Sequence, residues 1–141
     1  MFMKKLNCIL TVDDNPTENT YHKIQITEAD ICNHIQIANS GRQALDYLIK
    51  GGEPNQSEEF PKPQLIFLDM HMPSMNGFEF LEEYHKLDER LKSKVVIIML
   101  TTSLSPNDKA RAMTYFYKQI TEFQNKPLTI KMLHEIVEKH F

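Results

Sequence analysis

Four consecutive large apolar residues, Leu65-Ile66-Phe67-Leu68, run straight into the carboxylate of Asp69, and the chain then breaks at Pro73. A short apolar run between turn residues reads as a strand covered on both faces. Such strands belong to parallel sheets clad in helices, and an Asp at the carboxyl end of one lies where open parallel sheets gather their ligands. Val95 to Leu100 is a second run of this kind, ending in Thr101-Thr102-Ser103. Two strand tips therefore carry polar groups.

The remaining segments supply the rest of such a sheet. Leu6 to Val12 ends in Asp13-Asp14-Asn15-Pro16, which predicts a strand, an acidic turn and a helix opened near proline. Thr17 to Asp30 reads as that helix, with Tyr21, Ile24 and Ala29 as its periodic apolar positions. Ile31 to Ala38 alternates through Ile35 and Ile37, the pattern of a half-exposed edge strand. Ser40-Gly41-Arg42-Gln43 has capping-box spacing before a helix faced by Ala44, Leu45, Leu48 and Ile49, and Gly51-Gly52 end it with residues that tolerate positive φ. Glu53 to Pro63 reads as a mobile surface loop.

After Asp69, the turn residues Pro73, Ser74, Asn76 and Gly77 lead into a predicted helix with Phe80, Tyr84, Leu87 and Leu91 on one face and Glu82, Glu83 and Lys86 on the other. Ser105 caps a helix reaching Tyr115, with Pro106 first and Asp108 in the first turn. Ile120 to Phe123 reads as a short strand closed by Gln124-Asn125-Lys126-Pro127, and a last helix carries Leu133, Ile136, Val137 and His140 on one face.

Strand and helix thus alternate five times, which predicts a doubly wound α/β domain: a five-stranded parallel sheet of flavodoxin-like order 2-1-3-4-5 with helices on both faces. With 141 residues and 41% hydrophobic content, the chain builds one core, a single domain over 1–141. A net charge of -3 gives no basic face for nucleic acid, and no apolar run reaches a membrane span. Met1 to Leu6 is too short and polar for a secretory signal, so the expected location is cytoplasmic. Cys8 and Cys32 read as reduced thiols acting as small hydrophobes, with no disulfide or metal pairing.

In the 2-1-3-4-5 order the first and third strands are neighbours, so Asp13, Asp14 and Asp69 converge. Their mutual repulsion destabilises the fold unless a cation relieves it, and neutralising Asp13 or Asp14 should raise the metal-free melting temperature. Hard oxygen ligands without a Cys/His cage favour Mg²⁺. Thr101 and Lys126, from neighbouring tips, add a hydroxyl and a positive charge suited to a phosphoryl group.

Asp13-Asp14, Leu68-Asp69-Met70-His71-Met72-Pro73 through Asn76-Gly77, Leu100-Thr101-Thr102 and Lys126-Pro127 together resemble the receiver domain of two-component response regulators, over nearly the whole chain. The resemblance implies that Asp69 is the phosphoacceptor for a sensor histidine kinase or phosphotransfer protein. It implies that Asp14, Asp69 and the main-chain carbonyl of His71 bind Mg²⁺, with Asp13 acting through water. Thr101 would hydrogen-bond the phosphoryl oxygens, Lys126 would neutralise them, and Phe123 would be the switch aromatic that follows Thr101; otherwise Phe123 is an ordinary core residue. His71 and Ser103 match variable positions that influence dephosphorylation.

The Glu53–Pro63 loop and the bulky Tyr115-Phe116-Tyr117 segment are similar to stand-alone receivers of the phytochrome-associated kind. With the sequence ending at Phe141, no output domain is expected. The signal would leave through the last two full helices and the fifth strand, around Tyr115, Tyr117 and Lys118, toward a downstream protein or a second copy, the chain being a monomer or weak homodimer.

Three other readings share parts of this pattern. A haloacid-dehalogenase-type phosphatase expects a second Asp two residues after the nucleophile, where this chain has His71. A flavodoxin needs a hydroxyl- and glycine-rich phosphate loop where this chain has Asp13-Asp14-Asn15-Pro16, whose carboxylates would repel the cofactor phosphate. A degenerate receiver serving only as a binding module would lack one of the residues named above.

Overall fold

The computed structural model describes residues 5–56, 58–92, 95–102, 105–115 and 119–141, with the side chains at 109, 111, 113 and 115 outside that description. Five strands, β1 (Leu6–Val12), β2 (Cys32–Ala38), β3 (Leu65–Asp69), β4 (Val96–Thr101) and β5 (Glu122–Asn125), pair in parallel in the order β2-β1-β3-β4-β5. The helices are α1 (Pro16–Ala29), α2 (Gly41–Gly51), α3 (Gly77–His85), a one-turn α4 (Glu89–Lys92), α5 (Pro106–Tyr115) and α6 (Ile130–His140). This is the doubly wound, flavodoxin-like sheet that the apolar runs predict.

Alternation along β3 divides the core. Ile66 and Leu68 face a layer completed by Leu45 and Leu48 of α2 and Phe80, Leu81 and Tyr84 of α3. Leu65 and Phe67 face the other layer, filled by Ile26 of α1 and Leu133, Ile136 and Val137 of α6. The first helix is tied to the last and to the segment leading into it: a His134 ring nitrogen lies 2.9 Å from the Ala29 carbonyl, and the Tyr21 hydroxyl donates to the Leu128 carbonyl at 2.8 Å. Edge strand β2 is mostly half-buried, as its alternation requires.

Several elements depart from the sequence reading. Helix α1 buries Asn19, His22, Ile26 and Ala29, while Ile24, expected on its apolar face, is 50% exposed. The true inner face is half polar and gave no clean hydrophobic period. The apolar repeat from Phe80 to Leu91 is split: α3 ends at His85, and Asp88 Oδ1 accepts the Arg90 N–H to start α4. Leu87 still packs on the core layer, so the pattern survives the break.

Gly52 has φ of -85°, so neither glycine closing α2 uses positive φ. Space is the reason for Gly51, since a Cβ there would stand 2.6 Å from the Phe60 carbonyl oxygen, whereas at Gly52 it would meet only the end of the Leu91 side chain. Strand β5 begins two residues later than expected. Ile120 is buried in the core layer, and Thr121 bridges to Ile97 before the ladder starts at Ile98 and Glu122. The described residues of the 53–63 loop form no strand but are tied down, with Phe60 edge-on to Tyr47 at 5.7 Å and the Tyr47 hydroxyl donating to the Pro61 carbonyl at 2.6 Å.

Candidate functional site

The tip of β1 is held from several directions. Asp13 donates its N–H to the Ala38 carbonyl at 3.1 Å and accepts the Asn15 N–H on Oδ1 at 3.0 Å, and its carbonyl accepts the Asn19 amide at 2.7 Å. Asn15 caps α1, accepting the N–H groups of Thr17 and Glu18, with Pro16 in the first turn where no donor is needed. The carboxylate of Asp13 is thereby fixed inward at 1% exposure, while Asp14 points to solvent.

On β3, Asp69 is 5% exposed, and the next N–H, of Met70, pairs with Leu100 of β4 at 3.0 Å. The chain then turns back, with Gly77 N–H on the Met70 carbonyl at 3.0 Å. A Cβ at Gly77 would stand 3.1 Å from the Met70 Cα as well as 2.8 Å from Met99 Sδ, so the close return onto the Met70 backbone favours glycine. Asn76 and Glu79 start α3 with a reciprocal capping box.

Oxygens of Asp13, Asp14 and Asp69 lie within 4.8 Å of one another. Lys126, whose N–H is anchored to the Thr101 carbonyl at 2.9 Å, reaches into this group: its ammonium is 2.9 Å from Asp13 Oδ2 and 3.3 Å from Asp69 Oδ1. One ammonium against three carboxylates leaves net negative charge. Burial, then the charge of Asp13, push the Asp69 carboxyl above its ordinary range against the pull of Lys126. Burial would lower Lys126, but the Asp13 hydrogen bond and the charge of Asp69 outweigh it and raise the ammonium above its usual value. The donor set is hard, oxygen-only and short of positive charge, which fits a Mg²⁺ ion.

Thr101 is buried at the tip of β4, one position beyond the Asp69–Leu100 pairing. Phe123 lies further down β5 opposite Met99, half-buried against the core layer. The His71 side chain is exposed, and its N–H lies 3.4 Å from Asp69 Oδ1. Ser103, Phe116, Tyr117, Lys118 and the side chain of Tyr115 lie outside the described residues. Glu18 and His22 of α1, which the sequence reading passed over, also turn toward Asp13. Their one-turn spacing just after an acidic strand tip was the available signal.

Residues 9–138 match the response regulator receiver domain. The chain belongs to this family. Receivers are phosphoacceptor signalling modules of two-component systems rather than catalytic enzymes, and the acidic pocket of Asp13, Asp14 and Asp69 is consistent with a receiver Mg²⁺ site. Among relatives, the probable methanogenesis regulatory protein FilR2 of Methanothrix harundinacea is 29% identical over 93% of this chain and 79% of its own length. A two-component response regulator from Cytophaga hutchinsonii superposes with a TM-score of 0.78 at 26% identity, covering 96% of this receiver and 97% of that chain. The bacteriophytochrome response regulator AtBRR gives 0.72 at 25% identity, covering 96% and 93%. Membership implies a histidine kinase partner, and no helix among the described residues is long and apolar enough to cross a membrane.

Proposed function

We propose that this receiver takes a phosphoryl group onto Asp69 from a phosphohistidine of a sensor histidine kinase or phosphotransfer protein, and passes the signal on through protein contact or phosphorelay. The observation that carries the reading is a nearly buried strand-tip carboxylate, Asp69, with the Lys126 ammonium 3.3 Å away and two further carboxylates beside it. An oxygen of Asp69 attacks phosphorus, the phosphorus–nitrogen bond breaks with its electron pair passing to the imidazole, and an acyl phosphate remains. Asp14, Asp69 and the His71 carbonyl would hold Mg²⁺, with Asp13 acting through water. Bound there, the ion supplies charge compensation for the phosphoryl oxygens. Lys126 adds a second positive charge, and the Thr101 hydroxyl donates to a phosphoryl oxygen.

Output follows from the same residues. A charge-assisted bond to the phosphoryl group is worth about 1.5 to 3 kcal/mol, enough to turn Thr101 toward Asp69 and leave room for Phe123. The surface made by α5, β5 and α6 then changes and meets a downstream protein or a second copy of this chain. A cytoplasmic setting and a monomer or weak homodimer belong to this reading.

Incubation with Mg²⁺ and acetyl phosphate should add one base-labile phosphoryl group by intact mass, and EDTA should prevent it. Unchanged labelling of Asp69→Asn would defeat the assignment, because an amide forms no acyl phosphate. Amide exchange with beryllofluoride should shift protection across residues 105–127; change confined to the Asp69 turn would send the signal out by another face.

A further inference from the structure

Glu18 and His22 stand one turn apart on α1, the spacing that brings two side chains to one face. An oxygen of Glu18, an oxygen of Asp13 and a ring nitrogen of His22 all lie within 4.8 Å of one another. The imidazole is wholly buried. Its Nδ1 meets Thr11 Oγ1 at 3.4 Å, while Nε2 has no hydrogen-bond partner and faces Glu18 Oε2 at 3.7 Å. Among the described residues one other buried side-chain atom lacks a partner, Asn19 Oδ1, and Asn19 also adjoins Asp13. A buried imidazole nitrogen left unanswered destabilises the fold, so its position asks for a ligand.

We propose that Asp13, Glu18 and His22 form a second divalent-cation site, distinct from the all-oxygen group of Asp13, Asp14 and Asp69 and suited to a borderline metal such as Zn²⁺ or Co²⁺. One imidazole nitrogen with two carboxylates favours such ions over Mg²⁺. With its proton on Nδ1 and donated to Thr11, His22 offers the Nε2 lone pair, the arrangement in which an outer hydroxyl orients a ligating imidazole. Metal bonds of about 2.1 Å need the three donors to close in by roughly 1 Å. The Glu18 side chain, 39% exposed, is free to supply that movement.

Lys126 opposes the ion, since its ammonium sits 2.9 Å from the shared Asp13 carboxylate. Occupation would turn Lys126 onto Asp69, its other partner at 3.3 Å, so the second metal would tune the charge beside the phosphoacceptor. The binding site itself stands whether or not Asp69 is phosphorylated.

The test is titration of the full chain with Co²⁺ in excess Mg²⁺, followed by calorimetry and visible absorption. One saturable equivalent should appear. His22→Leu and Glu18→Gln should each weaken it by more than about tenfold, and Thr11→Val by about tenfold. Asp69→Asn, which removes the Mg²⁺ site, should leave it in place. Glu18→Gln, at a partly exposed position, keeps the test decisive should His22→Leu fold poorly. The proposal is overturned by the absence of a saturable equivalent, by one indifferent to Glu18→Gln, or by one lost with Asp69→Asn, which would place Co²⁺ in the acidic pocket instead.

Discussion

The three strand-tip acids carry different burdens. Burial and the charge of Asp13 raise the Asp69 carboxyl, so the folded chain binds that proton more tightly than the unfolded chain does. Ionised Asp69 therefore subtracts from stability at neutral pH, and the metal-free protein should gain stability as pH falls through the folded-state value toward the unfolded one. Asp69→Asn should raise the metal-free melting temperature by a few degrees, about 1 kcal/mol, and flatten that pH dependence in thermal melts. Asp13 is held by hydrogen bonds instead, accepting Lys126 and the Asn15 N–H in a buried setting. Asp13→Asn should lower the melting temperature, with a loss of stability of about 1 to 2 kcal/mol, contrary to the expectation drawn from like-charge repulsion alone. The sequence revealed that these acids meet, since each ends an apolar strand. It hid how Lys126 divides itself between Asp13 and Asp69, because its hydrogen bond to Asp13 spans 113 positions.

At the scale of elements, legibility followed the purity of each pattern. β3 and β4 were plain because both faces of each are buried. The polar inner face of α1 was obscure because Asn19 and His22 occupy places where a period search wants leucine. The start of α2 was half legible: Ser40 accepts the Gln43 N–H, but the Gln43 side chain reaches past it to the Asn39 N–H. The closed box lies instead at Asn76 and Glu79, and Asn76→Ala should destabilise the protein by about 1 kcal/mol in denaturant melts. Strand β5 is fastened to α6 through Glu122, whose carboxylate meets His140 at 2.9 Å and Lys139 at 3.2 Å. Burial pushes Glu122 up, yet hydrogen bonds from Gln124, His140 and Lys139 hold it below the ordinary range. That contribution is whole above the unfolded carboxylate pKa and disappears as pH falls through the folded value. Glu122→Gln should reduce stability at pH 7 by about 1 kcal/mol and remove this acid-side dependence.

For the whole molecule, strand order was readable because right-handed crossovers leave few ways to arrange five parallel strands, and the acidic pocket comes with the order. Metal and fold should therefore be linked. Mg²⁺ at a hundred times its dissociation constant should stabilise the protein by about 2.7 kcal/mol, reversed by EDTA, with most of the increment missing in Asp14→Asn. The partnership of α1 with α6 has a further consequence, in time rather than in space. A ribosome delivers Ile9, Ile26 and Phe67 long before Leu133, Ile136 and Val137 emerge to cover them. One layer can close while synthesis continues, but the other stays wet until the last helix arrives. During that interval the nascent chain offers an open apolar sheet face to chaperones and to its neighbours on the same messenger.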